Sequence, residues 1–245
     1  MIITSPPRCR NRTSRQRSHA LALAESPRNS GLRADRPQPR GFVNHTRLWE
    51  PGRTLWISFL GAPDRSLKMA IFELACQWIE LSEANLEFDL SEDDDANAPI
   101  RILTGEAALL NESDIGTDAL AHRDETISLT VQPGDARFQS TVLHEFGHAL
   151  GFEHEHLHPQ ANIPWNTEAL FAAHRAVPNW SDDDVREQYL NVHADVDLLK
   201  TGYDPLSIMH YEVAQWQTLG DFETGHNTEL SAKDIELMRL AYPHD

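Results

Sequence analysis

The segment that most constrains the fold of this chain is residues 144–156, which read HEFGHALGFEHEH. His144 and His148 are four residues apart, a separation of about 6 Å along an α-helix with little angular offset, so both imidazoles project from one face. Glu145 lies between them at the spacing of the His-Glu-x-x-His pattern, in which two ligands and a general base surround one zinc ion. The segment therefore predicts a helix that carries two metal ligands and a catalytic base.

A third zinc ligand has to come from beyond this helix, because a helix that continued past Leu150 would carry later side chains away from the metal. Gly151 provides the exit, since glycine takes a positive φ that ends a helix and turns the chain back. His154, three residues later, then reaches the same metal, which gives one zinc ion per chain. His156 and His158 have no place in this geometry, and we interpret them as surface histidines or as supports of the ligands.

Charge is divided unevenly along the chain. Residues 1–40 carry nine arginines against Glu25 and Asp35, whereas residues 41–245 carry 12 basic and 36 acidic side chains. An Arg-, Ser- and Pro-rich arm without an apolar period is typical of disorder, so we predict a disordered basic tail over 1–40. The acidic remainder repels phosphate backbones, which argues against nucleic acid as a partner.

The apolar pattern predicts a single α+β domain over 41–245. Alternating apolar residues predict strands at 54–60, 86–90, 100–105 and 126–131. Steps of three and four predict a helix from Asp64, with one face formed by Leu67, Ile71, Leu74, Trp78 and Leu81. After the motif helix, cap residues predict three more helices, which begin at Asn166, Ser181 and Ser231.

The sequence leaves the compartment of the protein open. No run approaches the roughly 18 apolar residues that a membrane span needs. The apolar residues HALALA at 19–24 are too few for the core of a secretory signal. Cys9 lies in the predicted tail and Cys76 in a predicted helix, so we expect no structural disulfide.

The long motif over 144–154 resembles that of the metzincin zinc metallopeptidases. Metzincins also carry a methionine turn after the motif, and the residues YDPLSIMHY at 203–211 are similar to it. The Ser-Ile-Met-His-Tyr run at 207–211 resembles the astacin and serralysin branches, and the residues GFEHEH favour the astacin side with its bacterial relatives. The resemblance extends over roughly residues 54–243.

This resemblance implies a metzincin-type α+β fold, with a mixed twisted sheet, an active-site helix, a loop-rich C-terminal half and a final helix. It implies zinc as the cofactor, with the ligands His144, His148 and His154. Glu145 would be the general base, Met209 the apolar floor of the site, and Tyr211 a labile ligand or oxyanion partner. The strand at 126–131 would be the edge strand that pairs with an extended substrate.

Two further positions resemble regulatory features of related peptidases. Glu155 matches the position that receives the processed N-terminus in mature astacins, and we do not transfer that role because the chain shows no recognisable maturation site. Pro-Arg-Cys at 7–9 resembles the start of the cysteine switch of matrix metalloproteinases, but the residues from Arg10 onward differ. We therefore interpret Cys9 as a stray tail cysteine.

Together the motifs predict a monomeric zinc endopeptidase that acts on protein or peptide substrates, and the resemblance favours secretion. Two alternatives are a binding module that keeps the zinc scaffold without turnover and a zinc hydrolase of a non-protein amide. The presence of Glu145 argues against the first alternative, since loss of the base is the simplest route to an inactive site.

Overall fold

Strands lie mainly in the first half of the chain, and helices and loops dominate the second half. The computed structural model describes residues 8–10, 12–30, 43–44, 47–175, 177, 180–191, 198–199 and 202–244. In chain order the elements are β1 (Arg8–Arg10), α1 (Arg15–Glu25), β2 (Val43–Asn44), β3 (Arg53–Phe59), α2 (Arg65–Ser82), β4 (Leu86–Leu90), β5 (Ile100–Thr104), β6 (Glu112–Asp114), β7 (Ile127–Leu129), α3 (Phe138–Ala149), α4 (Thr167–His174), α5 (Asp182–Val185), β8 (Leu198–Leu199) and α6 (Ala232–Ala241). The predicted α+β class is confirmed.

Six strands form one mixed sheet in the order β1-β6-β7-β5-β3-β4. Four of them (β4, β3, β5 and β7) are parallel, β6 is antiparallel to β7, and β1 is parallel to β6. The alternation in β3 buries Leu55, Ile57 and Phe59, while Trp56 between them is 44% exposed. The buried residues join one hydrophobic core with side chains of α2 and α3, so the sheet supports the motif helix directly.

The prediction that residues 126–131 form the edge strand is wrong. The strand there, β7, lies between β5 and β6 and pairs with both. Outside it lies β6, whose residues Glu-Ser-Asp have no apolar alternation and therefore gave no strand signal. On its other side β6 pairs with β1 from the N-terminal segment.

Helix α2 begins where the sequence predicts, with Asp64 at its N-cap. Its buried face is formed by Leu67, Ile71 and Trp78. In the last turn the small residue Ser82 is buried instead of Leu81, whose side chain is half exposed. The indole Nε1 of Trp78 donates a 2.9 Å hydrogen bond to the carbonyl of Leu143 in α3, which ties the two helices together. No helix in the described part of the chain is both long and apolar enough to cross a membrane.

The three predicted caps in the second half are all present. Asn166 accepts a hydrogen bond from the backbone of the first turn of α4, and Ser181 opens α5 with a reciprocal capping box. Ser231 and Asp234 form the same box at the start of α6. A π-helical turn, Arg186–Leu190, continues α5, and such turns are frequent at functional sites.

Residues 8–10 and 12–30 depart from the disordered arm that their composition predicts. They form β1, α1 and a 3-10 turn, and α1 packs against the 3-10 segment Gly116–Ala121. Helix α1 buries only Ser18 and Ala22, so it shows no apolar stripe that would signal packing. The predicted boundary near residue 41 stays a prediction, and residues 31–42 lie outside the described part.

Residues 12–30 are held against the domain by polar contacts rather than by an apolar face. The Arg47 Nε donates to the hydroxyl of Ser18 in α1 and lies 3.3 Å from the Asp118 carboxylate, and its Nη1 lies 3.2 Å from the Glu153 carboxylate. The side-chain amide of Asn29 donates two 2.8 Å hydrogen bonds, one to the carbonyl of Ala22 and one to that of Leu48.

We expect Asn29→Ala to lower the free energy of unfolding by roughly 1–3 kcal/mol, because two buried carbonyls each lose a hydrogen bond, and that of Ala22 keeps the one from the Ser26 N–H. Urea unfolding of the full chain measures this, with Arg28→Ala as the control at an exposed neighbouring position. Equal unfolding midpoints for the two variants would contradict the packed arrangement of this segment.

Candidate active site

The first two ligand candidates are held by hydrogen bonds on the ring nitrogen that faces away from the site. The Nδ1 of His144 lies 2.8 Å from the carbonyl oxygen of Ile208, and the Nδ1 of His148 lies 2.8 Å from that of Phe152. A carbonyl oxygen can only accept a hydrogen bond, so the Nδ1 that faces it must carry the proton of the imidazole. Nε2 is then left with the lone pair that can bind a metal. Both side chains are buried in α3.

Gly151 reverses the chain as the sequence predicts. Its φ is +94°, and the backbone N–H groups of Gly151 and Phe152 donate back to the carbonyls of His148 and Gly147. This pair of bonds is the Schellman arrangement that closes a helix C-terminus. A Cβ at Gly151 would also lie 3.1 Å from Leu48 Cδ2. The reversal brings His154 back alongside α3.

Three imidazoles meet at this point. One nitrogen from each of His144, His148 and His154 lies within 4.8 Å of the others, and the Nε2 atoms of His148 and His154 are 3.0 Å apart. The Nε2 of His144 is buried and has no hydrogen-bond partner in the described part of the chain. Three converging, inward-facing nitrogen donors fit one zinc ion with a position left open.

Burial keeps the imidazoles of His144 and His148 neutral. It lowers the pKa of His144 to about 4, and it lowers that of His148 well below its usual value, with the nearby His144 as the second cause. Neutral imidazole is the form that binds a metal, so the site is ready for the ion at neutral pH.

Glu145 follows the first ligand candidate in α3. It is fully buried, and neither carboxylate oxygen has a hydrogen-bond partner among the described residues. Burial raises its pKa well above the usual glutamate value, Glu112 raises it further, and Arg10 lowers it. A partnerless buried carboxyl next to a metal site is what a proton-transfer residue requires.

The methionine turn lies against α3 at Gly147. Met209 is buried, and a Cβ at Gly147 would lie 2.3 Å from its sulfur, so the glycine in the motif helix makes room for the thioether. The phenol ring of Tyr211 has its centroid 4.4 Å from that of His154 and 6.1 Å from that of His144. Its hydroxyl donates to Gln188 Oε1 at 3.3 Å.

Comparison with known proteins agrees with this geometry. The family model described as Astacin, a peptidase family, matches residues 68–243. The chain belongs to the astacin family. This confirms the predicted resemblance, and the three-histidine group fits the single zinc ion that was predicted.

Individual relatives support the family assignment, and their lengths differ from that of this chain. The chain is 29% identical to a protein named zinc metalloproteinase dpy-31 from Teladorsagia circumcincta and 27% identical to one of the same name from Caenorhabditis elegans. Each match covers 83% of this chain but only 32% and 34% of the relatives, so the chain spans about a third of their length.

Solved structures give the same fold. A structure of myroilysin has a TM-score of 0.76 and 30% identity, and the match covers 84% of this chain and 100% of that one. A hatching enzyme zinc-protease from Oryzias latipes, at a TM-score of 0.58 and 17% identity over 82% of this chain and 96% of that one, shares the fold.

Within this astacin-family site, Asp234 is a residue whose role the sequence did not reveal. Its carboxylate accepts a 2.6 Å hydrogen bond from the hydroxyl of Ser207 and a 2.9 Å bond from the backbone N–H of Ile208, whose carbonyl in turn holds His144. The capping box that contains Asp234 was visible in the sequence, but it gave no sign of a partner in the methionine turn. Burial raises the pKa of Asp234 to about 6.

His156 and His158 are buried, so they are not surface histidines. The interpretation that they support the metal ligands stays a prediction. The Nε2 of His156 lies 2.6 Å from the carbonyl of Gln188, and its ring stacks on Tyr211 at 4.2 Å. The Nδ1 of His158 accepts a hydrogen bond from the backbone of Gln160. Neither histidine belongs to the metal-ligand group found among the described residues.

The N-terminal segment also reaches the site. The sulfur of Cys9 lies 4.0 Å from Gln188 Oε1, the atom that accepts from Tyr211, and burial raises the pKa of the thiol. Cys9 is therefore a packed residue rather than a stray one. It is outside the metal-ligand group of the described residues.

Glu155 connects the third ligand to the methionine turn. Its backbone N–H donates to the carbonyl of Met209, and its carboxylate accepts from the backbone N–H of Asp204 at 2.8 Å. Burial raises the pKa of this carboxyl to about 8.

We expect His148→Gln to lose most of its zinc, because one of three ligand nitrogens is removed, whereas His156→Gln keeps one zinc ion per chain. Elemental analysis after dialysis against a weak chelator measures both. Loss of zinc from His156→Gln together with retention in His148→Gln would show that the ligand set is assigned wrongly.

Proposed function

We propose that this protein is a zinc-dependent endopeptidase in which Glu145 transfers the protons of the reaction. The observation that supports it most directly is the buried carboxyl of Glu145, without a partner among the described residues, in the same motif as three converging imidazoles. Membership of a peptidase family makes peptide hydrolysis the first candidate, and the relatives' names include zinc metalloproteinase.

A peptide substrate needs a surface that holds it extended, and strand β6 offers one. Its outer edge pairs with β1 over three residues, which shows that this edge accepts an extended segment through main-chain hydrogen bonds. A substrate in the same place would lie near Glu145, since β6 packs against α3, the helix that carries Glu145.

Glu145 then serves as base and acid in turn. Zinc in the three-histidine site supplies Lewis-acid polarisation of the scissile carbonyl and lowers the pKa of the attacking water. A carboxylate oxygen of Glu145 accepts the proton of that water and later gives it to the nitrogen of the leaving amine. The buried surroundings of Glu145 favour its protonated form, which supports the second step.

Tyr211 has the position of an oxyanion partner. Its hydroxyl is a hydrogen-bond donor at the site, at present directed to Gln188, and its ring lies against His154. The oxygen of a tetrahedral intermediate carries a negative charge that the carbonyl oxygen of the bound substrate lacks. A phenol that donates a hydrogen bond to this oxygen would stabilise that charge. The stacked ring of His156 restricts the direction of the phenol.

The alternative functions lack such support. A zinc-scaffold binding module has no need of a buried base, and a hydrolase of a small non-protein amide has no need of an extended strand edge. The monomeric state and secretion stay predictions, as does the action of the whole protein on a protein substrate.

We expect Glu145→Gln to keep its zinc and its fold and to lower kcat toward the upper end of about 10²–10⁴-fold, because one carboxyl serves both proton transfers. Steady-state kinetics on a fluorogenic peptide, with zinc content measured alongside, test this. Glu155→Gln is the matched control, since a neutral amide oxygen also accepts from Asp204. Normal turnover by Glu145→Gln would refute the mechanism.

We expect Tyr211→Phe to lower kcat by on the order of 10²-fold with little change in KM, because the phenol acts only on the transition state. Tyr189→Phe makes the same deletion in a ring 5.4 Å from Tyr211 and should change kcat far less. If Tyr211→Phe retains the wild-type kcat/KM on the same peptide, Tyr211 has no part in the chemistry.

A further inference from the structure

We propose that Glu112 and Glu125 form a subsite for a basic side chain, arginine or lysine, of the peptide substrate. We call the two carboxylates, with the main-chain carbonyl of Glu125, the acidic notch. The proposal deepens the peptidase function proposed above and rests on it.

The acidic notch is already filled by a side chain of an extended segment. Strand β1 lies on the free edge of β6 in parallel register, with Arg8 opposite Glu112, Cys9 opposite Ser113 and Arg10 opposite Asp114. Side chains alternate along a strand in either direction. A substrate residue on the same face as Arg10 therefore meets the same carboxylates.

The guanidinium of Arg10 makes three contacts in the acidic notch. Its Nη2 lies 2.7 Å from Glu112 Oε1 and 3.2 Å from Glu125 Oε1, and its Nη1 donates a 2.9 Å hydrogen bond to the carbonyl of Glu125. Arg10 is only 6% exposed. Charge-assisted bonds of this kind are stronger than neutral ones, and the planar fork of arginine suits them.

Departure of β1 from the edge would leave an unfavourable arrangement of charges. Glu112 and Glu125 share one cationic nitrogen of Arg10, and their side chains are only 21% and 24% exposed. Glu125 also binds Nη2 of Arg12, from the same N-terminal segment, at 3.0 Å. Two partly buried carboxylates without a cation repel each other, so a basic side chain that enters between them is favoured over a neutral one.

The acidic notch lies beside the reacting groups. Strand β6, which carries Glu112, packs against α3, the helix that carries Glu145 and two of the ligand candidates. A basic side chain bound in the acidic notch would thus be close to the scissile bond. The charge of the rest of the chain acts in the same direction, because 36 acidic against 12 basic side chains over 41–245 attract cationic peptides.

The test compares pairs of fluorogenic peptides that differ only by arginine or citrulline, its uncharged isostere, at one position near the cleavage site. The enzyme is the full chain with Cys9→Pro, Arg10→Ala and Arg12→Ala. Proline at position 9 of β1 has no backbone N–H and weakens the pairing with β6. The other two changes remove both arginines that bind Glu125. At one position we expect kcat/KM to favour arginine by on the order of 10-fold to 100-fold, the range for charge-assisted hydrogen bonds.

Further variants in the same background assign the preference to its residues. Glu112→Gln combined with Glu125→Gln should bring the arginine-to-citrulline ratio near unity. Glu87→Gln makes the same change on β4, the strand at the opposite edge of the sheet, and should leave the ratio unchanged. Zinc content and circular dichroism confirm that each variant is folded.

The outcomes separate the two proposals. A ratio near unity at every position in the triple variant, or a preference that survives loss of both glutamates, would overturn the subsite. Absence of cleavage of any peptide by zinc-loaded wild-type and variant chains would overturn the peptidase function instead. In that case the Kd values of the labelled arginine and citrulline peptides, measured by fluorescence anisotropy, still decide whether the acidic notch selects a basic side chain.

Discussion

Two main-chain carbonyls, those of Ile208 and Phe152, determine how the metal-binding imidazoles are presented. Each accepts from the Nδ1 of a buried histidine and so fixes both the ring orientation and the nitrogen that is free to bind. One carbonyl belongs to the reversal after α3, which is local. The other is 64 residues further along the chain, so the site is complete only when both halves of the domain have folded together.

The distant carbonyl depends on supports of its own. The carboxylate of Asp234 binds the backbone of Ile208, and the capping box with Ser231 places that carboxylate at the start of α6. The indoles of Trp49 and Trp78 also donate to main-chain carbonyls of α3. The motif helix is therefore positioned by polar bonds from several elements within an otherwise apolar core.

Local geometry explains which features the sequence predicted. Helical spacing and the positive φ of Gly151 act over a few residues, so the three-histidine group and the strands with apolar alternation could be found from the sequence. Strand β6 and the N-terminal segment could not, because their pairing is held by charges and main-chain bonds between residues about a hundred positions apart. The partner of Asp234 was hidden for the same reason, although its helix cap was recognised.

Strand β1 and strand β6, which it covers, belong to the same chain, so their contact does not depend on the concentration of the protein. A segment tethered to its own binding edge has an effective concentration that dilution of the protein does not change, on the order of millimolar for a short flexible tether. A free peptide at micromolar concentration competes poorly against such a neighbour for the same backbone groups. Exchange of occupants at β6 is thus governed by the integrity of the chain between β1 and the domain rather than by the amount of peptide in solution.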